Sequence, residues 1–294
     1  MYVVFLFLSL CTTSLYAYKL SIIAMFRDEA RYLKEWVAYH HLMGVEHFWL
    51  YDDYSKDNWQ EVLQEYIDLG IVEVINWAER KSSNSEYGFV RQIPIYLDGI
   101  QKAIGLSKWV AIIDLDEFIV PMKDETIVEC LDRHYPKNTQ AIYINWRNFG
   151  TGGIMIPEGE SLLYHLTACS LVTHSDNSVG KCIVRPEQID LKKVWTPHHY
   201  DLLDDSPYYN GSAQLLPKTS NGEFDYSKPH AAKFLCVNHY VLRDEYFFWN
   251  FRYPRTVNKT LLMEHYYSFC LTKNKAIHRH LQKLYPKLAF QDLL

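Results

Sequence analysis

The stretch AIIDLDEFIVP, residues 111–121, decides how the rest of the chain is read. An apolar run ends in Asp114, Asp116 and Glu117, and the sequence then turns apolar again. A nearly all-apolar strand is expected where both faces of a parallel sheet are covered. Carboxylates at the end of such a strand sit where open α/β sheets bind ligands. On a chain of period two, Asp114 and Asp116 point the same way. Two such carboxylates suit a hard divalent cation, Mg2+ or Mn2+, which also takes phosphate oxygens. A solvated strand end is the competing reading, and a DxD triplet alone does not separate the two.

Working outward, strand-like and helix-like segments alternate. KLSIIAM (19–25), HFWLY (47–51), IVEVINW (71–77), WVAIIDLDEF (109–118) and QAIYINW (140–146) read as strands. RYLKEWVAYHHLMG (31–44) places Leu33, Trp36, Val37 and His40 on one helical face and stops at a glycine. Residues 59–70, 91–105 and 126–135 read as further helices, with Asp57 or Asn58 available to cap the first of them. This is the spacing of βαβ units, whose right-handed crossovers produce a doubly wound, mostly parallel sheet with helices on both faces. If the second and fourth strands run parallel, Asp52 and Asp53 share a rim with the DxD carboxylates. Residues 151–240 are more irregular and read as an elaboration, and the C-terminal stretch reads as amphipathic helix.

The 294-residue chain is 48% hydrophobic and 22% charged, enough apolar material for a full core. A formal net charge of −5 gives no broad basic field, which argues against nucleic acid as a partner. The 23 Tyr and 8 Trp fit either sugar- or base-stacking surfaces or a Tyr-rich core. The start, MYVVFLFLSLCTTSLYAYKL, reads as a targeting segment over 1–17, a signal peptide or a short anchor, with a buried N-terminal element as the alternative. A location in the secretory pathway or at a membrane is therefore expected. The six cysteines contain no CxxC pair and form no disulfide framework. Asn210 and Asn258 begin glycosylation sequons. GxGxxG, the Walker pattern, HExxH and GxSxG are all absent, which disfavours dinucleotide-binding dehydrogenases, P-loop NTPases, zincins and α/β-hydrolases. The missing Gly-rich loop also counts against a nucleotidyltransferase.

Four pieces occur in order: MFRDEARYLKEWVAYHHLMGVEHFWLYDDYSKDN, WVAIIDLDEFIVP, NWRNFGTGG and CVNHYVLRDEYF. Together, over roughly residues 19–260, they resemble the family 92 glycosyltransferases. The resemblance implies a GT-A nucleotide-diphospho-sugar transferase fold, with a nucleotide and metal half (18–150) and an acceptor half (151–294) in one domain (18–294). It implies inverting, metal-dependent transfer of a hexose, commonly galactose, from a UDP-sugar to a glycan hydroxyl. A catalytically silent sugar-nucleotide or glycan-binding protein is the alternative.

By the same resemblance, Asp114, Asp116 and His239 would hold the Mn2+ or Mg2+. Asp116 is favoured for direct ligation, and Asp114 for a ribose or outer contact. Arg27, Asp52, Asp53, Arg91, Gln92 and Lys181 would face the nucleotide. Trp146, Phe149, Gly152 and Gly153 would shape the sugar and acceptor pocket. Family members often continue that last motif with His, where this chain has Ile154. The reaction needs a base for the acceptor hydroxyl. Glu117, Glu158, His174, His198, His199, Asp201, Asp204 and Asp205 qualify by type. The polar cluster HHYDLLDD favours Asp201, with Glu117 beside the DxD as the second candidate.

Overall fold

The computed structural model describes residues 16–77, 89–204, 206–217, 219–220, 225, 232–256, 258–278 and 280–281. Asp205 and all but the last two residues of the targeting segment lie outside these.

Strands β1 (Tyr18–Phe26), β2 (His47–Asp52), β3 (Val72–Asn76) and β4 (Ser107–Ile112) run parallel in the order β3-β2-β1-β4. β1 shows why the sheet is covered twice. Leu20, Ile22, Ala24 and Phe26 pack in one cluster with Leu33, Trp36 and Val37 of α1 (Ala30–Leu42) and Leu63 of α2 (Trp59–Asp68). Ile23 and Met25 pack in a second cluster with Ile95, Tyr96 and Ile100 of α3 (Phe89–Ala103). Period two thus sends alternate residues into two helical layers. The α/β expectation, with a mostly parallel sheet and helices on both faces, is met.

Two features differ from the reading of the sequence. The single strand expected over 109–118 is broken: β4 ends at Ile112, and β5 (Glu117–Pro121) begins after a turn. That turn is closed by Glu117 N–H donating to the Asp114 carbonyl at 3.1 Å, and by Asp114 N–H donating to the Glu117 carboxylate at 2.9 Å. The apolar residues on both sides hide the break. Second, the sheet continues past β4 through β6 (Ala141–Asn148), read as a strand from the sequence, and through β8 (Gly180–Val184) and β10 (Leu235–His239), which lie in the stretch that reads as irregular. The order is β4-β8-β6-β10-β5, while the two-residue β7 (Ala168–Cys169) lies off this sheet. β6 lies next to β8, which is antiparallel to both β4 and β6. A Cβ at Gly180 would stand 2.1 Å from the Ile144 carbonyl oxygen, so only glycine lets β8 approach β6 there. β10 pairs parallel with β6 and antiparallel with β5. β9 (Tyr208–Asn210) flanks β6.

The helix between β5 and β6 is α4 (Ile127–His134), and the longest C-terminal helix covers Lys259–Lys273. Asp57, offered as a cap for α2, lies against the backbone N–H of Trp59 at the start of that helix and also accepts from Ala30 N–H at 2.7 Å, so it caps α1 as well. Among the described residues no helix is long and apolar enough to cross a membrane. No disulfide forms among the described cysteines.

Candidate functional site

The carboxyl ends of β1, β4 and β10 meet around a cavity of about 350 Å3. Arg27 and Glu29 follow β1, Asp114, Leu115 and Asp116 follow β4, and His239 ends β10. Trp146 of β6 forms a side wall, and Arg243 and Arg252 close the cavity from the C-terminal segment. This is the rim where an open α/β sheet binds its ligand.

The two DxD carboxylates do different work. Asp114 already has a partner on each oxygen: one accepts from Tyr96 Oη at 2.9 Å and Gln92 Nε2 at 3.5 Å, and the other from Lys181 Nζ at 2.7 Å. Burial opposes its ionisation, but the Lys181 ammonium and the Tyr96 hydroxyl prevail and hold the carboxyl below the ordinary range. Lys181 is buried on β8 and also stands 3.6 Å from Glu117. Burial alone would lower its pKa, yet the two carboxylates raise it. Asp116 faces a different partner, with its Oδ2 3.8 Å from His239 Nε2. Tyr240 N–H donates to the Asp116 carbonyl at 2.8 Å and pins this turn to the end of β10.

His239 is buried, with its ring 4.2 Å from Trp146. Burial pulls its pKa down to about 4, so the ring is neutral at pH 7. Its Nδ1 lies 3.0 Å from Asn148 Oδ1. With the ring's one proton on that bond, Nε2 turns a lone pair toward Asp116. Two acceptors facing each other repel unless a cation sits between them. The Asp116–His239 pair therefore fits a divalent ion bound by one carboxylate and one imidazole. Among the described residues no group of three or more His, Cys, Asp or Glu is arranged to hold a metal. Oxygens from a diphosphate and water would complete such a shell, as is usual for ions that bridge protein and phosphate.

The model of Glycosyltransferase family 92 matches residues 20–211. The chain belongs to glycosyltransferase family 92. A family 92 protein of Ricinus communis is 25% identical over 204 residues, covering 68% of this chain and 34% of its own length. One from Oryza sativa subsp. japonica is 28% identical, covering 68% and 32%. The chain thus spans about a third of the length of the curated relatives it matches. Among solved structures, S. aureus TarS aligns over 60% of this chain and 50% of its own, at 16% identity and a TM-score of 0.38. The glucosyl-3-phosphoglycerate synthase of Mycobacterium tuberculosis, in a complex with Mn2+ and UDP, aligns over 58% of each chain at 12% identity and a TM-score of 0.33. The mostly parallel sheet with helices on both faces is the α/β architecture that the resemblance implied.

Against this family frame, the sequence-predicted residues divide into those that share the cavity and those that do not. Arg27, Asp114, Asp116, Trp146 and His239 line it. Gln92 reaches it indirectly, through Asp114. Asp53 is buried and ion-paired with Arg91 and, at 3.9 Å, with Arg27. Asp52 accepts from Ser55 N–H at 2.9 Å, which closes the loop after β2. Asp28 and Tyr54 in these loops hold φ of 52° and 61°, left-handed values that cost a non-glycine residue and tend to gather at functional sites. Arg243 across the cavity does the same at 52°.

Four placements correct the expected roles. Lys181 was expected to meet phosphate, but its ammonium is spent inside the protein on Asp114 and Glu117. Phe149 was expected as a sugar platform, but it is buried in the main core with its ring 4.4 Å from Tyr240. Glu117 is fully buried beside Lys181 and does not line the cavity. Asp201 is exposed and also absent from the lining, and its backbone carbonyl accepts from Asp190 N–H at 2.8 Å. Gly152 and Gly153 are exposed in a turn at φ of 58° and 72°, where Ile154 N–H donates back to the Thr151 carbonyl at 3.1 Å. Ile154 itself packs against the apolar core.

Sequence reading missed Glu29, Arg243, Arg252 and Asn148. Arg243 donates to Glu29 at 2.6 Å and to the Leu115 carbonyl at 3.0 Å, locking the β1 loop to the DxD turn. The signal was present, since RDE follows β1 and VLRDEYF follows β10. Their pairing across 214 positions was not visible.

Proposed function

We propose that this family 92 chain transfers a hexose, galactose by the family resemblance, from a UDP-sugar to a glycan hydroxyl with inversion and with a divalent cation. The observation that carries the reading is the Asp116–His239 pair, two lone-pair groups 3.8 Å apart at the carboxyl rim of the sheet. When bound there, Mn2+ or Mg2+ supplies charge neutralisation for a leaving diphosphate. Asp116 and His239 would hold it. Asp114, clamped by Lys181 and Tyr96, fixes the turn that aims Asp116. Arg27 and Arg252 bring positive charge to the same cavity. Trp146 offers an apolar face to the sugar.

For the acceptor, a larger cleft of about 650 Å3 lies alongside, lined by Arg31, Lys34, Tyr246, Phe247, Phe251 and Arg255 among others. It shares the β1–α1 loop with the donor cavity through Asp28 and Ala30. Its aromatic wall suits a sugar ring. Residues 18–294 are taken as one catalytic unit, because β8 and β10 of the second half complete the sheet of the first. The segment before it is taken as a secretory or membrane-targeting element.

The test is UDP release from UDP-galactose and other UDP-hexoses by the purified chain, with Mn2+ and with EDTA, with and without glycan acceptors. Release that needs Mn2+ and rises with an acceptor supports the reading. UDP-sugar binding without release under any condition selects the silent binding protein, the outcome that Ile154 at the family's histidine position favours.

A further inference from the structure

The cavity explains what His239 faces but not why it turns that way. A neutral imidazole carries its proton on either nitrogen, and only one choice leaves a lone pair toward Asp116. The answer lies in two buried amides behind the ring.

Asn148 sits opposite His239 in the β6–β10 register, so the two side chains share a face of the sheet. Its orientation is fixed by backbone. Asn148 Nδ2 donates to the Asp176 carbonyl at 3.2 Å and to Asn177 Oδ1 at 3.0 Å. The other end of that amide is therefore an oxygen, and it meets His239 Nδ1. Asn177 is fixed in turn. Its Nδ2 donates to the Leu171 carbonyl at 2.9 Å, and its Oδ1 accepts the Asn148 backbone N–H at 3.2 Å. Carbonyls only accept and backbone N–H only donates, so neither amide can be reversed without setting like against like. Ser170 Oγ donates to the same Asn177 oxygen at 3.0 Å. Asn148 and Asn177 are at most 2% exposed. The turn that carries Asn177 is tied down from outside, where Lys273 of the C-terminal helix donates to Asp176 at 2.6 Å.

We propose that Asn177 and Asn148 are positioning residues that hold the His239 proton on Nδ1 and so present the Nε2 lone pair to a divalent cation shared with Asp116. The inference rests on the metal reading above for its purpose, but the tautomer stands on its own. A buried amide pair of this kind acts as the outer partners of metal-bound histidines do, setting the ring's orientation and proton. Without it, the proton can move to Nε2 and donate to Asp116, which removes the lone pair and satisfies the carboxylate internally.

The experiment uses the full chain labelled with 15N-histidine and free of metal, with long-range 1H–15N correlation of the imidazoles. Mn2+ affinity is measured separately by the loss of the free-ion EPR signal. Wild type is expected to show His239 protonated on Nδ1. Asn148→Leu is expected to shift it toward the Nε2–H form and to weaken Mn2+ binding about 10- to 100-fold. Asn148→Asp keeps an acceptor for Nδ1–H and is expected to retain the tautomer. Asn177→Leu touches no part of His239 and is expected to move tautomer and affinity in the same direction as Asn148→Leu, by less. Should Asn148→Leu fail to fold, wild type and these two variants decide. Nε2–H in wild type, or an unchanged tautomer in Asn148→Leu or Asn177→Leu, overturns the proposal. A shifted tautomer with unchanged Mn2+ affinity upholds the relay and overturns the metal reading instead.

Discussion

His40 and His239 are both buried and both lean on an aromatic ring, and burial makes both neutral, with pKa values of about 3 and about 4. Residue type, exposure and basicity do not tell them apart. Their second nitrogens do. His40 sits inside α1, donates from Nδ1 to the Trp36 carbonyl at 2.9 Å and accepts the Ile119 backbone N–H on Nε2 at 3.2 Å. It bolts a helix to β5, and both of its nitrogens are used. His239 has one nitrogen on Asn148 and the other facing an acceptor. A core histidine completes its bonds within the protein, whereas a site histidine leaves one lone pair aimed at something else.

The contrast extends to the carboxylates, and the largest expected effect breaks it there. Asp114, like His40, is internally satisfied, while Asp116 is not. Lys181→Met should leave Asp114 and buried Glu117 without their cation and destabilise the fold by about 3–5 kcal/mol in urea titration. A stable variant with weakened UDP binding would instead restore Lys181 to the phosphate.

The histidines themselves come next. His40→Ala orphans the Ile119 N–H and opens a cavity, a loss of at least about 1–3 kcal/mol, with Mn2+ affinity unchanged in the folded protein. His239→Ala should do the reverse, lowering Mn2+ affinity at least about 10-fold with the smaller stability change. Equal effects of the two on Mn2+ binding would erase the distinction.

The last effect concerns pH and is the smallest per unit change, being spread over several pH units. The unfolded chain protonates His40 as pH falls below its ordinary 6.5, but the folded chain does so only near 3. Stability contributed by the neutral ring is therefore complete above 6.5 and drains away toward 3, by up to about 1.4 kcal/mol per pH unit. His40→Gln should flatten the wild-type slope between pH 6 and pH 4 by about that amount. An unchanged slope would mean that His40 is not held neutral.

Most of the fold was legible because β1 to β4 are short, largely apolar runs that alternate with amphipathic helical segments at βαβ spacing. The break after Ile112 was not legible, since apolar residues flank it on both sides and only the three carboxylates between them mark the turn. β8 was hidden by Gly180 and Lys181 at its start, the latter a residue that reads as exposed until its two carboxylate partners are known. In the site, the position of the DxD after an apolar strand sufficed to place Asp116 at the rim cavity. Phe149 and Asp201 were misplaced for a common reason: composition says whether a residue is able to face a ligand, but only packing says whether it does. Arg243 and Asn148 act through partners 214 and 91 positions away, distances over which a single sequence carries no pairing signal.

The most direct test of the central claim is calorimetric titration of UDP into the full chain, with and without Mn2+, for wild type and Asp116→Asn. UDP binding is expected to depend on Mn2+ and to fall more than about 10-fold in the variant, a loss above about 1.4 kcal/mol. UDP binding that is indifferent to Mn2+, or equally strong in Asp116→Asn, would contradict it.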